Sequence, residues 1–482
     1  MTDAFILVTA VPSKRRNLLQ LTAKSTHFGR KTFTSWLIES AGTVPIQRRM
    51  DFPDGRADNT NVMLKLIEAL EYGDAICLFP EGISRYHPAI APLKTGVARL
   101  VSDVLSRNSH KPDFEVAVLT CSITYMHRQH FRSDVLVTFN PPMKFTPKNN
   151  PELLSPVEYA NIRALTAQMH QQISSGTLDA PSWRLIRNAK LAARIYAPLG
   201  TTMRLGDYVR VVRTFLEAFK LAEQPGSEST SDEKLAKREG ASRADTEMRR
   251  LGDDLKVYQD MLTCWGIKDD RVRAPLPAHI IIYRIFVRFG WAAFLFTISI
   301  PGLLLWLPVF IATSVAVSRF KRTGPVWDTW NKIAHYKLIY GLVSGVCVWG
   351  ISVLLTLSFA PITAALVPGL MWMALRWIED AISALRAFVA LLRLLRAGQS
   401  RFAQLHAMRT GLHKRVTELA VHTLGLPPDP ERYFPESGGE EKGRVKGRWA
   451  SRTAYFSVRR RRKRDWNETL RLYDQVDYPE EE

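Results

Sequence analysis

Two long uncharged stretches in the C-terminal half constrain this chain more than any other feature. Residues 289–318 and residues 338–375 are runs of 30 and 38 residues without Asp, Glu, Lys or Arg. A helix of about 20 apolar residues crosses the hydrocarbon of a bilayer, and a core helix of a soluble domain rarely stays uncharged for so long. The stretches therefore predict a membrane region; the alternative is a buried helical bundle.

Length and flanking charge predict how these stretches meet the bilayer. The second stretch is long enough for two short crossings, whereas the first predicts a re-entrant segment or a single pass. Basic flanks prefer the cytosol, so we expect the three flanks to share one side. The flanking basic residues are Arg284, Arg288, Arg319, Lys321, Arg322, Lys332, Lys337, Arg376 and Arg386.

The N-terminal part, residues 1–200, is predicted to be an α/β domain with a central mixed sheet flanked by helices. Short apolar runs rich in Val, Ile, Leu and Thr predict strands, and amphipathic patterns between them predict helices. Such alternation is typical of a sheet covered by helices. The predicted strands are 5–10, 18–23, 44–48, 75–79, 115–125 and 134–139, and the predicted helices are 59–72 and 93–105.

The remaining chain divides by composition into three regions. Residues 201–275 are predicted to be helical or linking, with a polar disordered stretch at 223–250. Residues 276–425 form the membrane region, which ends in a basic amphipathic helix at 376–397 lying on the membrane surface or, alternatively, packed in a core. Residues 426–482 are predicted to be a basic disordered tail.

Charge and cysteine content limit the partners. The chain has 66 Lys and Arg against 46 Asp and Glu, a formal net charge of +20. We expect the basic run 459–464 to contact anionic lipid, and we expect no nucleic-acid partner because no nucleic-acid fold or aromatic platform is recognisable. The four cysteines form no CxxC pair, so the sequence predicts no metal site and a reducing compartment.

One stretch after a predicted strand groups reactive side chains. Phe79-Pro80-Glu81-Gly82 follows the strand 75–79, and Ser84 and Arg85 come directly afterwards. A carboxylate, a hydroxyl and a guanidinium thus cluster at the carboxyl end of a strand, where α/β sheets place ligands. The alternative is an ordinary turn with surface polar groups.

A second stretch strengthens the functional reading. In AGTVPIQRR, Gly42, Pro45 and Arg48 have the spacing GxxPxxR, and Arg48 ends a predicted strand. The guanidinium group of an arginine there can bind a phosphate with two parallel N–H donors.

Together, these two motifs resemble those of the glycerophospholipid acyltransferases, whose pattern is HxxxxD, GxxPxxR, FPEG and then a Pro-centred apolar strand. FPEGISRYHPAIAPLKTGVA looks like the large fungal subgroup that acylates glycerol-3-phosphate or dihydroxyacetone phosphate. The resemblance covers about residues 1–145. It departs from the pattern at Thr120, where the family commonly has Pro.

The resemblance implies an activity and the roles of residues. An acyl group would move from acyl-CoA, as co-substrate, to a phosphorylated glycerol, with no cofactor. The enzyme would sit in the endoplasmic reticulum membrane with its catalytic domain facing the cytosol. Gly42, Pro45 and Arg48, with the Phe79–Gly82 turn, would bind the acceptor, and Ser84 and Arg85 would be neighbours.

The first motif is expected to be incomplete in this sequence. Asp3 falls at the Asp position of HxxxxD, where it would orient the histidine that acts as general base. That histidine would lie before Met1, so we expect a chain truncated within the motif; His27 and His87 are weaker substitutes. The alternative function is a catalytically dead membrane scaffold or lipid-binding protein. A third possible function is that of a hairpin protein that inserts as a wedge into one leaflet of the membrane.

Overall fold

The computed structural model describes residues 6–7, 10–11, 19–29, 33–47, 58–82, 87–125, 135–196, 205–223, 235–266, 269, 272, 278–322 and 332–428. The chain divides into two compact units, the first containing Met1–Thr124 and Val135–Asp179, and the second containing Ala180–Arg444. The divide at Asp179 falls about 20 residues before the domain end predicted from sequence.

A three-stranded parallel sheet organises the first unit. Its strands are β1 (Leu19–Lys24), β2 (Val44–Ile46) and β3 (Ala75–Cys77), in the order β2-β1-β3. Helices α1 (Phe33–Ser40) and α2 (Thr60–Glu71) connect them. Helix α3 (Gly96–Arg107) follows β3, and its apolar face enters the core shared with α2. The predicted strands 18–23, 44–48 and 75–79 are therefore confirmed, with ends one to two residues different.

The rest of the first unit is built from two strand pairs and one helix. Strand β4 (Val116–Val118) pairs antiparallel with β7 (Met143–Phe145), and β5 (Cys121–Tyr125) pairs with β6 (Val135–Phe139). Helix α4 (Tyr159–Gly176) follows. The predicted strand 115–125 is thus two strands belonging to different pairs, and β7 was not predicted.

One predicted strand is wrong. In the stretch 5–10, the described residues Ile6, Leu7 and Ala10 are helical, and Leu7 is 3% exposed. A short apolar run fits a buried turn of helix as well as a strand, so its pattern did not distinguish the two.

Helices build the second unit. They are α5 (Trp183–Tyr196), α6 (Leu205–Glu223), α7 (Leu235–Trp265) and α11 (Gln399–His422), together with three long apolar helices. Helix α7 covers residues 235–250 of the stretch 223–250 that was predicted to be disordered, and residues 224–234 lie outside the described residues. Its second half buries a stripe at helical spacing that includes Leu251, Leu255 and Tyr258, and the helix continues upstream from this packed half.

The three apolar helices are α8 (Ala278–Arg322), α9 (Lys332–Leu355) and α10 (Ala360–Ala397), and each is long and apolar enough to cross a membrane. Helix α8 runs unbroken through Pro301 and Pro308, so the first uncharged stretch is not re-entrant. The second stretch is divided by a short turn at Leu357–Phe359.

Helices α8 and α10 run antiparallel. Ile281 and Ile285 near the start of α8 pack against Leu391 near the end of α10, while Val309 packs against Val367. The predicted amphipathic helix 376–397 is therefore the second half of α10, packed along α8, and not a separate helix on the membrane surface.

Helix α11 packs back onto helices that precede the membrane region. Arg409 of α11 donates to Asp269 over 2.9 Å, and the ring Nδ1 of His413 lies 2.7 Å from the carbonyl oxygen of Ile195 in α5. Asp269 is 1% exposed and also accepts a 2.6 Å hydrogen bond from Tyr258 of α7. Burial acts to raise the pKa of Asp269, but Arg194 and Arg409 hold it below its usual value. The residues before α8 and after α10 are thereby tied together.

Candidate active site

The parallel sheet brings the two sequence motifs to one edge. Lys24 of β1 pairs with Ile46 of β2, and Leu21 of β1 pairs with Cys77 of β3, so all three strands end on the same side. Of the GxxPxxR segment, Gly42 precedes β2, Pro45 lies within it and Gln47 follows its carboxyl end, while Phe79–Gly82 follows the carboxyl end of β3. Since β1 lies between them, the motifs flank its carboxyl end, the edge where parallel sheets bind ligands.

Gly42 and Pro45 build the approach to this edge. Gly42 has φ of +67°, a conformation that favours glycine. Its N–H donates a 3.0 Å hydrogen bond to the carbonyl oxygen of Glu39, and this turn ends α1. Pro45 lies in β2 opposite Ala23. The two residues therefore turn the chain from α1 into β2 and direct it toward the edge.

The Phe79–Gly82 segment is a tight turn. The Gly82 N–H donates to the carbonyl oxygen of Phe79 over 3.1 Å, and Gly82 has φ of +70°. The carbonyl oxygen of Pro80 accepts a 2.9 Å hydrogen bond from the backbone N–H of Lys94, which closes the chain onto the turn at Lys94. Glu81 is half-buried at the centre of the turn. Glycine suits this position because a residue with a side chain is strained at positive φ.

Lys94 joins the site through this closure. A Cβ atom placed on Gly82 would lie 2.6 Å from Nζ of Lys94 and 2.7 Å from its Cε, so the lysine side chain lies across the glycine. Lys94 lies in the PLKTG segment of the motif stretch, but it was not predicted to be a site residue. The signal that could have identified Lys94 is a lysine in the same motif stretch as the glycine of the turn.

Several predicted site residues lie outside the described residues. They are Asp3, Arg48, Ser84 and Arg85. The backbone of His27 forms a turn directly after β1, while His87 is exposed and its Nδ1 accepts a 3.4 Å hydrogen bond from the Ala89 N–H. Among the described residues, no group of three or more His, Cys, Asp or Glu side chains is arranged to hold a metal ion.

The structure explains the departure at Thr120. Its side chain is 6% exposed, and its Oγ1 donates to Oε1 of Gln172 in α4 over 2.7 Å. The same hydroxyl accepts a 3.1 Å hydrogen bond from Nδ2 of Asn140. A proline could make neither contact. Thr120 therefore joins the loop between β4 and β5 to α4.

Two cysteines behind the edge are poor nucleophiles. Burial, with a smaller contribution from Cys121, raises the pKa of Cys77 to about 11. Burial also raises the pKa of Cys121. Both side chains remain protonated thiols near neutral pH, which argues against cysteine-based covalent catalysis at this sheet.

Comparisons with known proteins agree with this geometry. Residues 1–124, which include the sheet edge and the turn, match the family model described as Acyltransferase. The first unit therefore contains an acyltransferase-family domain.

A second match narrows the class. Residues 189–334 match the family model of the glycerol-3-phosphate acyltransferase 2 C-terminal domain. The chain is thus similar to the Acyltransferase model in its N-terminal part and to the glycerol-3-phosphate acyltransferase 2 C-terminal domain model over residues 189–334. Its three apolar helices are those expected of a membrane protein.

Three curated relatives are similar to part of the chain. Identity is 24% over 298 residues to glycerol-3-phosphate O-acyltransferase 2 of Saccharomyces cerevisiae, covering 60% of this chain and 37% of the relative. It is 22% over 299 residues to glycerol-3-phosphate O-acyltransferase 1 of that yeast, covering 60% and 36%. It is 26% over 257 residues to an uncharacterized acyltransferase of Schizosaccharomyces pombe, covering 53% and 34%. The chain therefore matches only about a third of each relative's length, and no solved structure matches it.

Proposed function

We propose that the chain belongs to a membrane-bound O-acyltransferase that moves an acyl group from acyl-CoA to glycerol-3-phosphate or a related phosphorylated glycerol. The observation that carries the proposal is the meeting of two motif segments at one edge of a parallel sheet. The names of the two yeast relatives support the acceptor class. We place the enzyme in the endoplasmic reticulum membrane, with its catalytic domain facing the cytosol and anionic lipid at the tail 426–482.

The reaction requires few groups. A hydroxyl of the acceptor attacks the thioester carbonyl carbon, a general base takes the hydroxyl proton, and the carbon–sulfur bond breaks to release the CoA thiolate. Asp3 is the proposed carboxylate that orients the base. No cofactor or metal is required, because hydrogen-bond donors stabilise the oxyanion of the tetrahedral intermediate.

The acceptor phosphate is the proposed partner of the cations. Arg48, one residue past Gln47 at the edge, is proposed to bind it with two donors. The Lys94 ammonium, which lies across Gly82, adds a second positive charge near the turn. Glu81 is proposed to bind the glycerol hydroxyls and to keep the turn in shape.

Kinetics with variant enzymes test the assignment. Arg48→Ala should raise KM for the phosphorylated acceptor more than KM for acyl-CoA, because a guanidinium–phosphate pair is lost. Arg107→Ala is the matched control. Arg107 is the last residue of α3, at the end away from the turn, and it forms a surface ion pair with Glu71, the last residue of α2. A change confined to the acyl-CoA KM would show that the phosphate site is elsewhere.

Acceptor choice is tested in the same membranes. Glycerol-3-phosphate, dihydroxyacetone phosphate and lysophosphatidate are assayed side by side with labelled acyl-CoA, and Glu81→Ala should lower transfer while the melting transition stays cooperative. Absence of transfer to all three acceptors would favour the scaffold alternative.

A further inference from the structure

A cleft opens between α8 and α9 at the end where both helices leave their uncharged stretches. Its volume is about 520 Å³, within the usual range of small-molecule sites. Val315 and Ala316 line its apolar part, and Arg319 lines the other end. Ala316 is 7% exposed and Val315 is 44% exposed, so this apolar part of the cleft is packed at Ala316 and open at Val315.

Aromatic rings line the polar end of the cleft. The rings of Phe320 and Tyr336 have centroids 4.9 Å apart, and Tyr336 stacks on Tyr340 with centroids 5.9 Å apart. Tyrosine is enriched at the boundary between lipid and water, where its ring is apolar and its hydroxyl polar. The row of rings therefore marks the depth of that boundary.

The local charge is strongly positive. Arg319 is the first charged residue after the uncharged stretch 289–318, and Lys337 is the last before the stretch 338–375. The sequence from 319 to 337 contains five basic residues and one acid, Asp328, while residues 271–327 contain no acid. The basic residues are Arg319, Lys321, Arg322, Lys332 and Lys337.

The order of apolar wall, aromatic rings and cations suits one kind of ligand. An amphiphile with an anionic head can place its chain along the wall and its charge among the cations. A soluble phosphate would not use the apolar wall, and a neutral lipid would not use the charge. Basic pockets between membrane helices are known to bind anionic lipid heads.

We propose that this cleft binds an anionic glycerophospholipid of the bilayer. The lipid phosphate contacts Arg319, and an acyl chain lies against Val315 and Ala316. This site is separate from the sheet edge of the first unit and does not depend on the proposed acyltransferase activity.

A binding assay on the full chain tests the proposal. The protein is purified in detergent micelles and titrated with fluorescently labelled phosphatidic acid. Unlabelled phosphatidic acid should displace the probe, whereas phosphatidylcholine and inorganic phosphate at the same concentrations should not. Equal displacement by phosphatidylcholine, or by phosphate, would overturn the proposal.

Variants locate the site. Arg319→Gln should weaken binding of the probe about five-fold, the effect of one basic residue at a lipid surface, and Arg319→Lys should retain most of the affinity. Val315→Trp should also weaken binding by occupying the cleft. Arg288→Gln is the matched control, because Arg288 is the last charge before the same uncharged stretch at its other end. If Arg319→Gln binds as tightly as Arg288→Gln, or if Arg319→Lys loses as much affinity as Arg319→Gln, the proposal is wrong.

Discussion

Replacing Gly82 by alanine should separate the catalytic role of the FPEG turn from its structural role. The new Cβ meets two constraints. The φ of +70° costs a non-glycine residue about 1–2 kcal/mol, and the Cβ would lie 2.6 Å from Nζ of Lys94. A lysine side chain can rotate away at little cost in stability, so the collision should move Lys94 off the turn without unfolding the domain.

Gly29→Ala is the matched control. Gly29 has φ of +69°, but a Cβ there meets no described atom within 4 Å. Both variants should therefore lose about the same 1–2 kcal/mol of unfolding free energy, a few degrees in melting temperature for a unit of this size. Only Gly82→Ala should lose the contribution of the Lys94 charge.

The kinetic loss follows from that charge. A hydrogen bond to a charged group contributes about 1.5–3 kcal/mol, so kcat/KM for acyl transfer should fall about 10- to 100-fold in Gly82→Ala. Lys94→Met should reproduce this loss, and the double variant should be little worse than either single one, because the residues are in contact. Equal losses in Gly29→Ala and Gly82→Ala, or full activity in Lys94→Met, would refute the reasoning.

Three further measurements test other parts of the structure. Asp269→Asn should cost the second unit about 3–5 kcal/mol in denaturant unfolding, because it leaves buried guanidinium groups uncompensated; Asp254→Asn, in an exposed ion pair, should cost about 0–1 kcal/mol, and similar losses would contradict this account. Iodoacetamide at about pH 8 should modify exposed Cys264 well before Cys77, whose raised pKa leaves few thiolates there; equal rates by mass spectrometry would disprove the burial argument. A glycosylation tag within 323–331 and one at the α10–α11 junction should report opposite sides of the membrane, and modification of both would exclude this arrangement.

The sequence indicated which strands carry the motif segments better than it indicated the structure around them. The edge could be foreseen because β2 and β3 each end in a motif segment, and parallel strands deliver such segments to the same side. Lys94 could not be placed, because its position depends on the hydrogen bond between its backbone N–H and Pro80, which closes a loop of no regular period. The strand prediction for residues 5–10 failed for a different reason: a run of five apolar residues and one threonine has no period that separates a strand from a helix.

The membrane topology depends on contacts that hydropathy cannot show. The basic residues that flank the two uncharged stretches predicted that all three flanks share the cytosolic side. That prediction considers each stretch separately and ignores contacts between helices. Helix α11, however, packs on α5 and α7 through contacts such as that between Arg409 and Asp269, which are 140 residues apart. We therefore expect the chain to return to the side of the membrane from which it entered, which requires an even number of crossings. The antiparallel helices α8 and α10 supply two. Helix α9 begins beside Phe320 at the end of α8, and Thr356 after its end hydrogen-bonds Thr363 in the first turn of α10, so α9 connects the end of α8 to the start of α10. We therefore expect the basic residues at the end of α8, Arg319, Lys321 and Arg322, on the side of the membrane opposite α11.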